Sequence, residues 1–218
     1  MTRHKAVDIA GKAILYLLLT IAAVIMLFPL YTGVVTSLLS AQNLDTYPPK
    51  LLPVDFRWQN YVDALRMAPL PRFVLNSFIQ SSSVMISQLV LASLAAFAFA
   101  FLQFRGKQFI FLVFLSTMMI PWEATIIPNY LFVQKIGWDD TYLGLMAPFM
   151  ATAFGTFLIR QYFMSLPKDL YDAAIIDGCS NLRYLVTIAV PLARPALGTL
   201  AVHSFLQSYN QYLWPLLV

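Results

Sequence analysis

The 218-residue sequence is poor in charged residues and rich in apolar ones. Asp, Glu, Lys and Arg make up only 11% of it, whereas hydrophobic residues make up 60%. An average soluble domain is about 25% charged and roughly 45–50% apolar, and a chain of this size has too little interior to hide so much apolar surface from water. The composition therefore excludes a typical water-soluble enzyme and a disordered chain. It indicates a protein that folds in a lipid bilayer.

Several kinds of site are also missing. The single cysteine, Cys179, has no partner for an internal disulfide. His4 and His203 are far apart and no Cys, His and Asp cluster accompanies either, so we expect no metal site. No G-x-x-x-x-G-K-[ST] phosphate-binding loop occurs, so we expect no ATP site in this chain. The net charge is +4, but the basic residues are scattered singly, so we expect no nucleic-acid partner.

Apolar stretches predict an all-α integral membrane protein, a polytopic helical bundle with five visible spans. A membrane-crossing helix needs about 20 mostly apolar residues. The predicted spans are approximately residues 12–40, 73–102, 109–133, 143–160 and 192–218. The first is too long for a signal-peptide core, and the third joins two shorter apolar runs.

The distribution of basic residues predicts the orientation of these spans. With the N-terminus in the cytoplasm, nine of the 14 Lys and Arg residues fall on cytoplasmic segments and five on outer segments. The positive-inside rule favours that arrangement over its inverse. Residues 41–72 then lie outside, and their five prolines and several aromatic residues predict an ordered loop rather than a flexible linker.

Two rows of polar or aromatic residues recur at steps of three or four in the second and fifth spans, so each row should occupy one helix face. The first row is Asn76, Gln80, Ser83 and Ser87, and the second is His203, Gln207, Asn210 and Trp214. Polar side chains at membrane depth usually face a bundle interior or a water-filled cavity, and neutral hydrogen-bonding groups with an aromatic platform suit the path of a sugar or polyol. The alternative for each residue is a hydrogen bond that holds two helices together.

His203 also raises the possibility of a proton relay in a stand-alone secondary carrier. Spans two and five contain no Asp or Glu to accompany it, so the sequence gives that alternative little support.

The polar segment 161–191, between spans four and five, reads as two short helices. Ser165 should cap the first helix, Gly178 should end it in the left-handed conformation, and Ser180 should cap the second. The first helix carries two adjacent alanines, which let another protein approach closely and indicate a docking helix. An amphipathic helix lying on the lipid headgroups is the alternative.

The same segment carries a family resemblance. The run DAAIIDGCSNLRYLVTIAVPLARPAL resembles the coupling loop of binding-protein-dependent ABC importer permeases, written EAA-x3-G-x9-I-x-L-P. The matching residues are Asp172, Ala173, Ala174, Gly178, Ile188 and Pro191. Asp172 replaces the usual Glu and Val190 the usual Leu. The runs FRWQNYVDAL, FVLNSF, TFLIRQYFMSLPKDLYDAA and NQYLWPLLV extend the resemblance, which is to carbohydrate-type permeases such as the second permeases of the maltose and sn-glycerol-3-phosphate importers.

The resemblance implies a permease subunit, not an enzyme, of an ATP-driven importer in the bacterial inner membrane. It implies a sister permease, a cytoplasmic ATPase dimer that binds ATP and Mg²⁺, an extracytoplasmic solute-binding protein, and a sugar, oligosaccharide or glycerol-3-phosphate as solute. The coupling helix, with Asp172, Ala173, Ala174, Asp177 and Gly178, would sit in a groove of the ATPase. Six spans are implied, so we expect a C-terminally truncated chain. A secondary carrier and a non-transporting truncated scaffold stay as alternatives.

Overall fold

The chain is built almost entirely from helices. The computed structural model describes the backbone of residues 2–218 and the side chains of residues 11–218. The described part is 77% helical and contains no strand. Its α-helices are α1 (Thr2–Ser37), α2 (Ala41–Leu44), α3 (Gln59–Met67), α4 (Leu70–Ala100), α5 (Lys107–Ser116), α6 (Trp122–Lys135), α7 (Tyr142–Met146), α8 (Ala153–Ser165), α9 (Lys168–Ile176), α10 (Asn181–Tyr184), α11 (Val190–Leu192), α12 (Arg194–Tyr209) and α13 (Leu213–Leu217). Short 3₁₀ turns follow α5 and α7, and a π-helical turn (Leu185–Ala189) joins α10 to α11.

The chain divides after Arg72 into two compact units. The first contains α1, whose apolar part is long enough to cross a membrane and continues through Pro29 without a break. The segment 41–72, predicted as an ordered loop, is hydrogen-bonded to the end of α1. Asn60 Nδ2 donates to the carbonyls of Ser37 (3.0 Å) and Leu39 (2.8 Å). Lys50 Nζ is also 2.7 Å from Asn43 Oδ1. These bonds agree with the expected ordered loop.

The second unit, Phe73–Val218, contains most of α4 and all later helices. Within the described part of the chain, α1 and α4 are the two helices that are long and apolar enough to span a membrane alone, and three bent pairs raise the number to five if each pair is one span. The predicted spans 109–133, 143–160 and 192–218 are therefore not single straight helices. The pairs bend by 96° between α5 and α6, by 46° before α8 and by 82° before α12.

Proline accounts for the first and last of these bends. Pro121 directly precedes α6, where its missing N–H costs no helical bond. At the last bend, Pro191 and Pro195 flank Ala193, the residue between α11 and α12. A proline interrupts the backbone bonding of an apolar run but changes the mean hydropathy of a long run little, so hydropathy alone does not predict these bends.

Small residues let α4, α8 and α12 pack closely in the second unit. Ala92, Ala96 and Ala196 belong to its buried cluster together with the larger Ile159. Gly155 of α8 is also buried, and a methyl group added to it would meet the Leu200 side chain at 3.0 Å. Close approach through small residues is a common way for helices to associate in membranes.

Candidate functional site

A cavity of about 450 Å³ opens among α4, α6, α8 and α12. Its lining combines neutral hydrogen-bonding groups with aromatic rings. Representative lining residues are Gln88, Trp122, Phe149, Phe154, His203 and Gln207. Ligand pockets in proteins typically measure roughly 300–1,000 Å³ and place a few polar groups on an apolar wall. The cavity therefore has the size and lining of a small-solute site.

Gln88 connects three segments at the cavity wall. Its Nε2 donates to the carbonyl of Phe149 at 2.7 Å, and its Oε1 accepts from Ser204 Oγ at 2.6 Å. The neighbouring Ser87 Oγ donates to the carbonyl of Met150 at 3.0 Å. These bonds fasten α4 to α12 and to the bend before α8, so they fix one side of the cavity.

Aromatic rings form another part of the wall. The Trp122 ring lies 4.6 Å from Phe149 and 5.6 Å from Trp214, between ring centroids. Trp214 is buried, and its Nε1 donates to the carbonyl of Gly144 at 3.2 Å. The His203 ring packs against Phe154 at 4.7 Å. The rings pack against one another, which gives the cavity an apolar surface.

The first polar row lies on α4, as predicted. Like Ser87, two more of its members form hydrogen bonds to other segments. Asn76 Oδ1 accepts from the hydroxyl of Tyr142 at 2.7 Å. Gln80 is buried and its Nε2 donates to Gln211 Oε1 at 3.3 Å. Ser83 is half-buried. These contacts are helix-to-segment hydrogen bonds, and a role of the row in lining a solute path stays a prediction.

The second row is not one continuous helix face, which corrects the sequence-based expectation. His203 and Gln207 are exposed side chains of α12 that line the cavity. Asn210 follows the last residue of α12 and caps its C-terminus, and Trp214 belongs to the separate helix α13. The backbone is no longer helical between Asn210 and Trp214, so their spacing of four does not place them on one helix face.

Sequence reasoning missed Gln88 and Ser204, the two residues that bond across the wall. Each lies one position beyond a residue of the predicted rows, Ser87 and His203 respectively. A signal for Ser204 exists, because the small residues Ala196, Ser204 and Ser208 lie four or eight positions apart in α12. Small side chains at that spacing indicate a helix contact face. Gln88 carries no comparable signal in its own sequence neighbourhood.

Helix α9 lies where the sequence predicts the coupling helix, and its C-terminus has the predicted geometry. Gly178 has a φ of +77°, in the left-handed region that favours glycine. The N–H of Gly178 donates to Ile175 O at 3.0 Å and that of Cys179 to Ala174 O at 2.8 Å. This pair of bonds is the Schellman arrangement that satisfies the last helical carbonyls.

The two alanines of α9 differ in exposure. Ala174 belongs to the buried cluster of the second unit, whereas Asp172, Ala173 and Asp177 are exposed. Ile176 is 85% exposed, which is high for a large apolar side chain. One face of α9 is thus anchored, and the other presents a small residue, two carboxylates and an apolar side chain to the surroundings.

One predicted helix cap in this segment is correct and one is wrong. Ser180 Oγ accepts from the backbone N–H of Arg183 at 3.4 Å and caps α10. Ser165 does not cap α9. It is the last residue of α8, where its hydroxyl donates to Tyr162 O at 2.7 Å, and Pro167 occupies the position before α9. A serine hydroxyl can bond back into the preceding turn as well as forward, and here the preceding helix is longer than expected.

The described residues contain no group of three His, Cys, Asp or Glu side chains placed to hold a metal ion. Chemically, the cavity can offer hydrogen bonds and ring faces to a solute, and α9 can offer a contact surface to another protein.

Comparisons with known proteins agree on one family. The model of the family described as "Binding-protein-dependent transport system inner membrane component" matches residues 88–218. The chain is 36% identical over 215 residues to the sn-glycerol-3-phosphate transport system permease protein UgpE of Agrobacterium fabrum, covering 95% of this chain and 76% of that protein. It is 34% identical over 209 residues to the protein of the same name from Pectobacterium atrosepticum, covering 93% and 74%. It is also similar to a chain in the crystal structure of a bacterial ABC transporter involved in the import of the acidic polysaccharide alginate, with a TM-score of 0.83, 26% identity, and 95% and 73% coverage.

Proposed function

This chain belongs to the family of binding-protein-dependent transport system inner membrane components, and we propose that it forms half of a path through which an ATP-driven importer moves sn-glycerol-3-phosphate. As a member of that family it is a transport permease of an ABC importer and not an enzyme. The relatives named above are sn-glycerol-3-phosphate permeases. The cavity on α4 and α12 is the observation that carries the proposal.

The lining of the cavity suits a polyol. Gln88, Ser204 and Gln207 are neutral hydrogen-bonding residues that can serve hydroxyl groups, and Trp122 with Phe149 supplies a ring surface for the carbon chain. His203 lines the cavity one helical turn from Gln207, and its imidazole N–H can donate a hydrogen bond to a phosphate oxygen. It is therefore the residue we assign to the phosphate group of the solute.

A neutral sugar or oligosaccharide is the second candidate, and the cavity itself favours it. None of the lining residues described is Lys or Arg, and a phosphate is usually held by those side chains. The structural relative comes from a transporter of an acidic polysaccharide. That solute is a saccharide like the second candidate and carries negative charge like the first, so the similarity does not decide between them.

Uptake measurements decide between them. In cells that carry the complete transporter, Gln207→Ala and His203→Ala should lower the uptake of radiolabelled sn-glycerol-3-phosphate about tenfold or more, because each removes a polar group from the cavity. Val202→Ala is the matched control, since Val202 is an exposed residue of α12 that does not line the cavity. Unchanged uptake of sn-glycerol-3-phosphate in the His203→Ala variant, together with uptake of a neutral sugar, would favour the second candidate. Unchanged uptake in both variants would overturn the assignment of the cavity.

We also propose the assembly that drives this path. A sister permease completes it, an extracytoplasmic solute-binding protein delivers the solute, and a cytoplasmic ATPase dimer binds ATP and Mg²⁺. The N-terminus lies in the cytoplasm, on the side where basic residues are enriched. Helix α9 docks into the ATPase through Asp172, Ala173 and Asp177, and ATP-driven closure then moves the spans between two states. The exposed face of α9 supports this role.

Co-purification tests the docking. Ala173→Arg adds bulk and charge to the exposed face of α9 and should abolish co-purification with the ATPase. Ser165→Arg makes a similar addition at an exposed residue of α8 and should leave the complex intact. Gly178→Pro should also break the contact, since proline cannot adopt the φ of +77° at this position. Equal recovery of the ATPase with all three variants would contradict docking through α9 and favour a secondary carrier or a scaffold.

A further inference from the structure

Two basic side chains meet at the C-terminal end of α4. Lys107 Nζ donates to the carbonyls of Ala100 (3.2 Å) and Leu102 (2.8 Å), and Arg160 Nε donates to that of Phe99 (3.1 Å). The guanidinium carbon of Arg160 also lies 4.0 Å from the centre of the Phe111 ring. A lysine has three donors and an arginine five, so both side chains keep N–H groups that these carbonyls do not use.

Two cavities share these cations. One, of about 530 Å³, is lined by Lys107, Gln108, Phe111, Leu112 and Arg160. The other, of about 250 Å³, is lined by Lys107 and Arg160 again and also by Lys168. No carboxylate belongs to the described lining of either cavity, so three positive charges surround this space with no acidic side chain on its wall.

The surroundings combine this charge with apolar surface. Helix α5 begins at Lys107, so its N-terminal end, which favours anions, lies beside the same space. Phe109, Leu112 and Val113 of α5 are exposed, Leu112 being 57% exposed. An anion with an apolar tail fits both features, whereas a free anion would use only the cations.

We propose that this pair of cavities binds the phosphate of an anionic phospholipid, with its acyl chains along the apolar side of α5. Arginine and lysine are the usual partners of phosphate oxygens, and basic pockets between membrane helices commonly hold anionic headgroups. The negative charge of the bound phosphate is then close to the positive charges of Lys107 and Arg160, which donate to carbonyls at the end of α4. This inference does not depend on which solute the transporter carries.

A variant of Gln108 tests the site without disturbing α4. Replacing Lys107 or Arg160 would also remove bonds to the α4 carbonyls, so a loss of binding could reflect misfolding. Gln108→Glu leaves those bonds in place and puts a carboxylate on the cavity wall, where it pairs with the cations and repels phosphate. Gln161→Glu makes the same change at an exposed residue that lines neither cavity.

The measurement is native mass spectrometry of the intact transporter complex titrated with phosphatidylglycerol or with zwitterionic phosphatidylethanolamine. We expect phosphatidylglycerol to bind the unmodified complex at least about fivefold more tightly, since each cation near an anionic lipid contributes roughly that factor. Gln108→Glu should reduce this preference to about one, and Gln161→Glu should retain it. Equal binding of the two lipids, or equal loss in both variants, would overturn the site.

Inorganic phosphate separates the two sources of the ligand group. Added at millimolar concentration, it should not displace phosphatidylglycerol or raise the melting temperature of the delipidated complex as far as the lipid does. Equal protection by inorganic phosphate would show a free-anion site and refute the lipid assignment.

Discussion

Replacing Gln88 by leucine should loosen three segments at once, because this one amide bonds to both the bend before α8 and to α12. The change removes the bonds to Phe149 O (2.7 Å) and Ser204 Oγ (2.6 Å) and puts an apolar side chain of similar size in place of the amide. Side-chain hydrogen bonds between membrane helices contribute about 0.6 kcal/mol on average and at most about 1.7 kcal/mol. Two of them together predict a loss of about 1–3 kcal/mol in the free energy of unfolding.

A double-mutant cycle identifies the source of that loss. Ser204→Ala removes only one of the two bonds and should cost about 0.6–1.7 kcal/mol. In the Gln88→Leu background its partner is already gone, so the same change should cost close to nothing. Unfolding of the purified protein by a denaturing detergent, with all four variants in one lipid mixture, gives the coupling energy.

Ser93→Ala is the matched control. Ser93 is also a buried serine, but its hydroxyl donates to Leu89 O, within α4 itself, at 2.6 Å. Its replacement should cost less than about 0.5 kcal/mol, since serine in a helix gains little from bonding to its own backbone. Fully additive costs for Gln88→Leu and Ser204→Ala would refute the reasoning, because independent residues do not share a bond.

Three further outcomes follow from local geometry. Gly144→Ala would place its methyl carbon 2.2 Å from a backbone carbonyl oxygen and should lower the melting temperature at a cost of about 1–3 kcal/mol, whereas Gly198→Ala meets nothing within 4 Å and should be neutral or slightly stabilising. Gly178→Ala must hold a φ of +77° and should cost about 1–2 kcal/mol, seen as faster hydrogen exchange at the end of α9. Hydrogen bonding from Ser40 lowers the pKa of Asp55 below 3.8, so the loop gains stability that is present above about pH 3.8 and lost as the pH falls through the lowered value. Asp55→Asn should remove that pH dependence, measured as the protection of the Ser40 amide corrected for its intrinsic exchange rate.

The features that the sequence predicted correctly are those decided by neighbouring residues. The length of an apolar run predicts α1 and α4, the two described helices that are long and apolar enough to span a membrane alone. A glycine at the end of a short helix and a serine two positions later predict the left-handed Gly178 and the cap at Ser180, because both arise from bonds within a few positions. Ser165 shows the limit of such reasoning, since one hydroxyl can serve either of two adjacent helices.

The cavity depended on partners that are distant in the chain. Periodicity places Ser87 and His203 on helix faces, but it does not say which face meets another helix. The contact face of α12 is one position away, at Ser204, and its partner Gln88 is 116 residues earlier in the chain. Each bond that holds the wall therefore joins residues of two segments that meet only in the folded chain. The sequence pattern of one helix identifies at most one of the two partners.

An aromatic cluster joins the two features that the sequence suggested separately. Tyr171 of α9 lies 5.0 Å from Phe101, just after α4, and 5.0 Å from Tyr184 of α10, between ring centroids. Phe101 in turn packs against Phe163 of α8 at 5.9 Å. Rings at these separations stabilise one another beyond their buried area, and a close-packed interior transmits displacement rather than absorbing it. The helix that we assign to ATPase docking is thus fastened to the end of α4, the helix whose other residues form the cavity wall, so a displacement of α9 has a packed route of side chains toward that wall.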